Sequence, residues 1–373
     1  LVIRGGLIVD GSGAPGQVGD VAIDGDRIVS VGGQAGEGRR EVDAKGLLVT
    51  PGFVDVHTHY DGQVSWDAKL EPSIYHGVTT VVMGNCGVGF APAAPDRHEW
   101  LIGLMEGVED IPGTALYEGI EWGEWESFPE YMDYIAGREF SIDVGAQIPH
   151  GAVRYYVMGE RGRTNEDATE DDIAAMSTLV AEAVDAGAVG FSTSRTIGHR
   201  ALWGEAVPGT FAAEDELFGI AEAMGRTGKG VLEVIPAGTV GKLEHLGGER
   251  STPEQEHEMM RKCSEISGRP LTFTLVPTID YEPDLWRKIL ALSKVPNDNG
   301  AQRYPQVPSR YIGYLTGLSS YHPFMRKPTY LEKLAHLPPD QRVEAMRDPD
   351  IKSALLTEKE IKHEAPGSME NIS

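Results

Sequence analysis

From residue 51 onward the sequence alternates short β-branched strands with amphipathic helices, and this rhythm constrains the fold more than any other feature. Val78–Met83 sets Val78, Thr79, Thr80, Val81 and Val82 in succession, the pattern of a strand buried on both faces. Further strands are predicted at residues 142–148, 188–193, 231–235 and 271–276, with a seventh near 302–307. The intervening helices carry their own start signals. Thr169 caps one, with Asp172 at the fourth capping-box position and Gly187 past its end. A second opens on Glu214, Asp215 and Glu216, favourable against the helix dipole, and ends near Gly228. A third starts at Thr252-Pro253, with Gln255 completing the box. The pattern predicts an α/β fold with a parallel sheet or barrel, and a closed (β/α)₈ TIM barrel needs eight strands. No eighth strand is legible, and residues 330–373 read as mainly helical and charged.

Residues 1–50 have a different texture. Apolar segments 1–3 and 7–9 flank Gly5-Gly6, and segments 21–23 and 28–31 flank Asp24-Gly25, a hairpin signal. We therefore divide the chain into a small N-terminal β-domain, residues 1–50, and a barrel, residues 51–373.

The stretch 46–60 joins the two. An apolar run (Leu47, Leu48, Val49) passes Pro51-Gly52 and enters a strand ending in Val-Asp-Val-His-Thr-His. Side chains two apart on a strand share a face, about 6.6 Å apart at Cα, so His57 and His59 can converge on one ion. A solvent-facing pair is the plainer alternative, and the buried-looking run before it favours the site. Cys86 follows the second strand in Gly-Asn-Cys-Gly, on the same rim if the barrel closes. Thiolate and imidazole donors together suit Zn²⁺, while an inert buried thiol is the competing reading. Cys263 shares a helical stripe with Met260 and Ile266 and is assigned to the core. His150 and Arg154 after the third strand, and Ser192 and Arg195 after the fourth, occupy strand ends where barrels place substrate contacts. Each is a candidate substrate-binding residue or a structural hydrogen-bonding one. The acidic and aromatic segment 100–132, which includes Glu109, is long for a connector and is expected to shape a pocket.

Pro-Gly-Phe-Val-Asp-Val-His-Thr-His resembles the first barrel strand of the amidohydrolase superfamily, and Gly84–Gly87 narrows the likeness to the N-acyl-D-amino-acid deacylases. The resemblance runs along most of the chain and is weakest in its second half. It implies a metal-dependent hydrolase barrel with a small β-sandwich completed from the far end of the chain. His57, His59 and Cys86 would hold the metal, and an N-acyl amino acid would be the small-molecule substrate. The chain departs from the family at the ends of strands five and six, where the second metal position has histidines. Here those strands read Val-Leu-Glu-Val-Ile and Leu-Thr-Phe-Thr-Leu-Val. Glu233 could supply an oxygen ligand or a proton-relay carboxylate there, or simply be ion-paired. His245 and His257 are not promoted. The family's general-base aspartate at strand eight has no counterpart before Ser373. The missing strand and the missing sandwich return lead us to expect a piece of a longer protein. The fourth strand ends without lysine, against a carboxylated-lysine centre.

Composition limits the alternatives. A net charge of −24 argues against nucleic acid and anionic membranes as partners. No apolar run reaches membrane-spanning length, no leader pattern opens the chain, and two cysteines make no disulfide framework, so a cytoplasmic location is expected. The expectation is zinc-dependent hydrolysis of a linear amide. The alternatives are a cyclic-amide hydrolase or deaminase on the same scaffold, or a non-catalytic relative.

Overall fold

The computed structural model describes residues 1–239, 241, 243, 247–276, 282–309, 317–318 and 322–361. It divides into two compact units: Leu1–Val56 with Lys69–Val81 and Ser141–Asp143, and His57–Ala68 with Val82–Phe140 and Val144–Ser373.

The first unit contains a five-stranded sheet of β1 (Val2–Ile8), β2 (Gln17–Asp24), β3 (Arg27–Val31), β4 (Glu41–Asp43) and β5 (Leu48–Val49). Its order is β3-β2-β1-β4, with β5 also pairing β1. Two local readings change. Segments 1–3 and 7–9 belong to one strand, because Gly5, at φ +65°, takes up a register shift between Ile3 and Gly6. A left-handed residue inside a strand makes a bulge, and glycine adopts it without a Cβ clash. Asp24 pairs with Arg27, so the hairpin turns on Gly25-Asp26 rather than Asp24-Gly25. Gly25, at φ +58°, takes the first central position, where a type II′ turn wants it. The apolar run before the histidines is also not buried: Leu47 and Leu48 are 60% and 67% exposed. The unit also holds the short parallel pairing of β6 (Phe53–Asp55) with β7 (Val78–Met83), where Phe53 faces Val78 and Asp55 faces Val81.

The second unit carries β8 (Asp143–Pro149), β9 (Gly190–Ser194), β10 (Val231–Ile235), β11 (Leu271–Thr274) and β12 (Arg303–Gln306). Strands β6 to β12 form one seven-stranded sheet in strict chain order. Strand β6 pairs with β7 in parallel, and so do β8 with β9, β9 with β10, β10 with β11 and β11 with β12, for example Leu232 opposite Phe191 and Leu271. Sequential order means that every crossover steps in the same direction, which builds a barrel wall. A doubly wound sheet would reverse order at a switch point. All seven predicted strands are present, and no eighth lies among the described residues.

Helices α1 (His98–Glu109), α2 (Gly113–Gly119) and α3 (Phe128–Ala136) fill the long connection after β7. Next come α4 (His150–Met158), α5 (Glu160–Arg163), α6 (Glu170–Asp185), α7 (Glu214–Thr227), α8 (Pro253–Ser267) and α9 (Leu285–Ser293). Helices α6, α7 and α8 bury Val180, Val184, Ile220, Met224, Met259 and Met260 beneath strands that contribute Phe191, Leu232 and Phe273. Cys263 is buried with them, its Sγ 3.7 Å from Met259 Sδ, whereas Ile266 is exposed. Three short helices, the last Pro349–Thr357, surround a cluster of Tyr330, Leu334 and Leu355. No described helix is long and apolar enough to cross a membrane.

The capping boxes form as the sequence predicts. Thr169 accepts from the Asp172 N–H while Asp172 accepts from the Thr169 N–H, and Thr252 and Gln255 do the same. Thr169→Ala removes the acceptor of the Asp172 N–H and leaves that one donor to water at an exposed helix start, and we expect it to cost about 1 kcal/mol in urea unfolding.

Candidate metal centre

Strand β6 ends at Asp55, so His57 and His59 lie just past the strand rather than within it. What fixes them is the residue between. Thr58 donates its N–H and its hydroxyl to the Val82 carbonyl at 3.0 and 2.7 Å. Asn85 Nδ2 donates back to the Thr58 and Val82 carbonyls at 3.0 and 2.9 Å, and Gln147 Nε2 donates to Asn85 Oδ1 at 2.7 Å. The His-x-His segment is thus stitched to the end of β7 and to the strand beyond it.

Cys86 sits in the left-handed region at φ +57°, between Gly84 at +76° and Gly87 at +69°. This run of positive φ turns the chain sharply enough to aim the thiol at the histidines. His57 Nε2 lies 3.1 Å from Cys86 Sγ, and His59 Nε2 lies 3.5 Å from it. One donor atom from each residue falls within 4.8 Å of the others.

Carboxylates surround the triad. Glu233, fully buried on β10, accepts the Cys86 N–H on Oε2 at 3.2 Å. Its Oε1 makes no hydrogen bond and lies 3.8 Å from His57 Nδ1. Glu109, at the end of α1, brings Oε1 to 3.2 Å from His59 Nε2. Asp61 is buried, with Oδ2 unpartnered. Burial, then neighbouring charge, pushes the Glu109 and Glu233 carboxyls up to about 8, and burial takes Asp61 to about 7. Burial and the nearby Glu109, Glu233 and Asp61 drive the Cys86 thiol well above its usual value. Burial, with His57 and His199 close by, drives His59 well below its own.

These directions describe a pocket that favours the protonated form of its buried acids and the neutral form of His59 and His199 unless a cation enters. A cation inverts that logic, because it favours thiolate and carboxylate and needs unprotonated imidazole. The donor set therefore fits a divalent ion. Two nitrogens and a sulfur suit zinc in particular.

The four strand-end candidates are engaged elsewhere. Ser192 accepts the Gly87 N–H at 3.0 Å and donates to the Gly84 carbonyl, clamping the turn that carries Cys86. His150 is buried, with Nε2 2.7 Å from Glu216 Oε1 and Nδ1 2.8 Å from Thr193 Oγ1. Arg154 donates from Nη1 to both Glu216 oxygens, at 3.0 and 2.9 Å. Arg195 donates from Nε to both Glu256 oxygens, at 3.1 and 3.0 Å. Both guanidinium groups spend their charge on a buried protein carboxylate.

Sequence reasoning placed Glu109 in a pocket-shaping segment without assigning it to the histidines. It missed Asp61, Glu216 and His199. The last lies 3.0 Å by Nδ1 from Ser194 Oγ, with burial and His57 lowering it to about 4. A carboxylate two residues past His59 was the one signal available for Asp61. His257, set aside at the sequence level, is buried on α8 with its ring edge-to-face against Phe273, and His245 lies outside the described residues.

The profile of the family described as Amidohydrolase family matches residues 40–348. A curated D-aminoacylase of Alcaligenes xylosoxydans xylosoxydans is 36% identical over 194 residues, covering 52% of this chain and 37% of that protein. A solved N-acyl-D-glutamate deacylase from Bordetella bronchiseptica, complexed with zinc and a phosphonate inhibitor, superposes with a TM-score of 0.62 at 25% identity. A solved D-aminoacylase, described with a binuclear metal centre, gives 0.61 at the same identity. Both superpositions cover 82% of this chain and 57% of the other. The chain thus spans less than two thirds of the length of these relatives.

Proposed function

The chain belongs to the amidohydrolase family, and from that premise we propose that it serves metal-dependent hydrolysis of a linear amide, the deacylation of N-acyl-D-amino acids. The observation that carries the reading is the convergence of His57 Nε2, His59 Nε2 and Cys86 Sγ. These three residues would hold a divalent ion, zinc by its donor set. When bound, the ion supplies Lewis acidity toward the amide carbonyl and makes water a nucleophile at neutral pH.

The remaining work belongs to side chains. Hydrolysis breaks the C–N bond, adds hydroxyl to the carbonyl carbon and delivers a proton to the departing nitrogen. Glu233 is the carboxylate we assign to that proton. Its Oε2 is tied to the Cys86 N–H, so Oε1 is the atom left to give or take it. Glu109 lines the His59 side of the same centre. His150, Arg154, Ser192 and Arg195 are read as positioning residues, in keeping with their protein partners. Residues 1–50 as part of a β-domain and 51–373 as the barrel complete the proposal.

Offering the chain, with zinc, N-acetyl-D-amino acids beside their L-enantiomers and a cyclic amide tests it. Amine release from the D series supports the reading. Turnover of the cyclic amide alone would transfer support to the cyclic-amide alternative, and a zinc-loaded chain that hydrolyses none of them would remove it.

A further inference from the structure

We infer that Gln306 is a positioning residue of the metal centre, fixing the tautomer of His57. The inference rests on the metal reading above. Gln306 is the last residue of β12, and His57 follows β6, the strand at the other end of the sheet order. Even so, Gln306 Oε1 lies 2.7 Å from His57 Nδ1 across 249 residues of sequence. The backbone of Gln306 is held by the Leu275 N–H, which donates to its carbonyl at 2.9 Å.

An amide oxygen only accepts, so the proton of this bond must sit on His57 Nδ1. Glu233 Oε1, at 3.8 Å from Nδ1, is beyond hydrogen-bond distance and does not oppose this bond. The lone pair is then left on Nε2, the atom 3.1 Å from Cys86 Sγ. That is the arrangement a ligating histidine needs: one nitrogen open to the ion, the other anchored by an outer acceptor that orients the ring. The choice of a neutral amide also has a reason. An amide orients the ring without adding charge.

Two measurements test this. The first is the ¹⁵N chemical shifts of the His57 ring in the metal-free wild-type chain. The Nδ1–H tautomer supports the inference and the Nε2–H tautomer overturns it, whether or not the chain binds metal. The second is Zn²⁺ affinity by chelator competition for wild type, Gln306→Leu and Gln306→Glu. Loss of the acceptor in the leucine variant is expected to weaken zinc about 10- to 100-fold, the usual effect of removing an outer-shell partner. The glutamate variant, which keeps an acceptor, is expected to retain most of the affinity. Equal zinc affinity in wild type and Gln306→Leu would overturn the assignment. If the leucine variant does not fold, the wild-type tautomer still decides. A wild type that binds no zinc would instead count against the proposed function.

Discussion

Glu216→Leu is expected to destabilise the chain by about 3–5 kcal/mol, the cost of removing one partner from a buried ion pair. Glu216 has side-chain exposure of 2%, against 1% for Arg154 and 0% for His150. Burial alone would raise the Glu216 carboxyl, but the hydrogen bonds and charges of His150 and Arg154 hold it below its usual value. Without that carboxylate, Arg154 keeps a guanidinium in the interior with no anion, and His150 Nε2 loses its acceptor. Urea unfolding measures the loss. The double variant Arg154→Leu/Glu216→Leu should recover part of it, because the stranded charge is gone. A Glu216→Leu chain within 1 kcal/mol of wild type would show that the cluster carries no structural weight.

Gly84→Ala should act on stability and site together. A Cβ at Gly84 would lie 2.1 Å from the Gln147 carbonyl oxygen, a backbone atom of the neighbouring strand with little freedom to yield. The left-handed backbone adds about 1–2 kcal/mol for any residue with a Cβ, and overpacking of this kind adds about 1–3 kcal/mol more. Because Gly84 begins the turn that aims Cys86, the same change should weaken zinc binding in a titration. Gly123→Ala is the control: φ there is +98°, but a Cβ would meet nothing within 4 Å. It should show the backbone cost alone, with zinc binding intact.

How much of this was legible in the sequence depended on the range of the interaction. Val231–Ile235 announces itself because a strand buried in a parallel sheet needs an unbroken β-branched or apolar run. The same signal located Val78–Met83 but overstated its burial, since only Val81 and Met83 are buried there and Thr79 is exposed. Thr169 and Thr252 announce their helices because a capping box is complete within four residues. The hairpin was found one residue out of register, since Asp-Gly-Asp offers two turn placements and only cross-strand pairing selects Gly25-Asp26.

The centre divides in the same way. His57, His59 and Cys86 stand in short motifs near strand ends; position left the thiol even between ligand and core, and the family resemblance decided for ligand. Glu216 could not be anticipated. It reads as a helix-dipole acid, and its burial is decided by Arg154 and His150, 62 and 66 residues away. Gln306 is more distant still and carries no motif. The apolar run at residues 47–49 misled in the opposite direction: it suggested burial where Leu47 and Leu48 are exposed.

The most direct test of the account is zinc content by elemental analysis of the purified 373-residue chain beside His57→Ala. We predict near-stoichiometric zinc in the first and little in the second, with both chains giving the same circular dichroism. A well-folded wild type that takes up no zinc, or a variant that keeps it, would contradict the claim that His57, His59 and Cys86 form a metal centre.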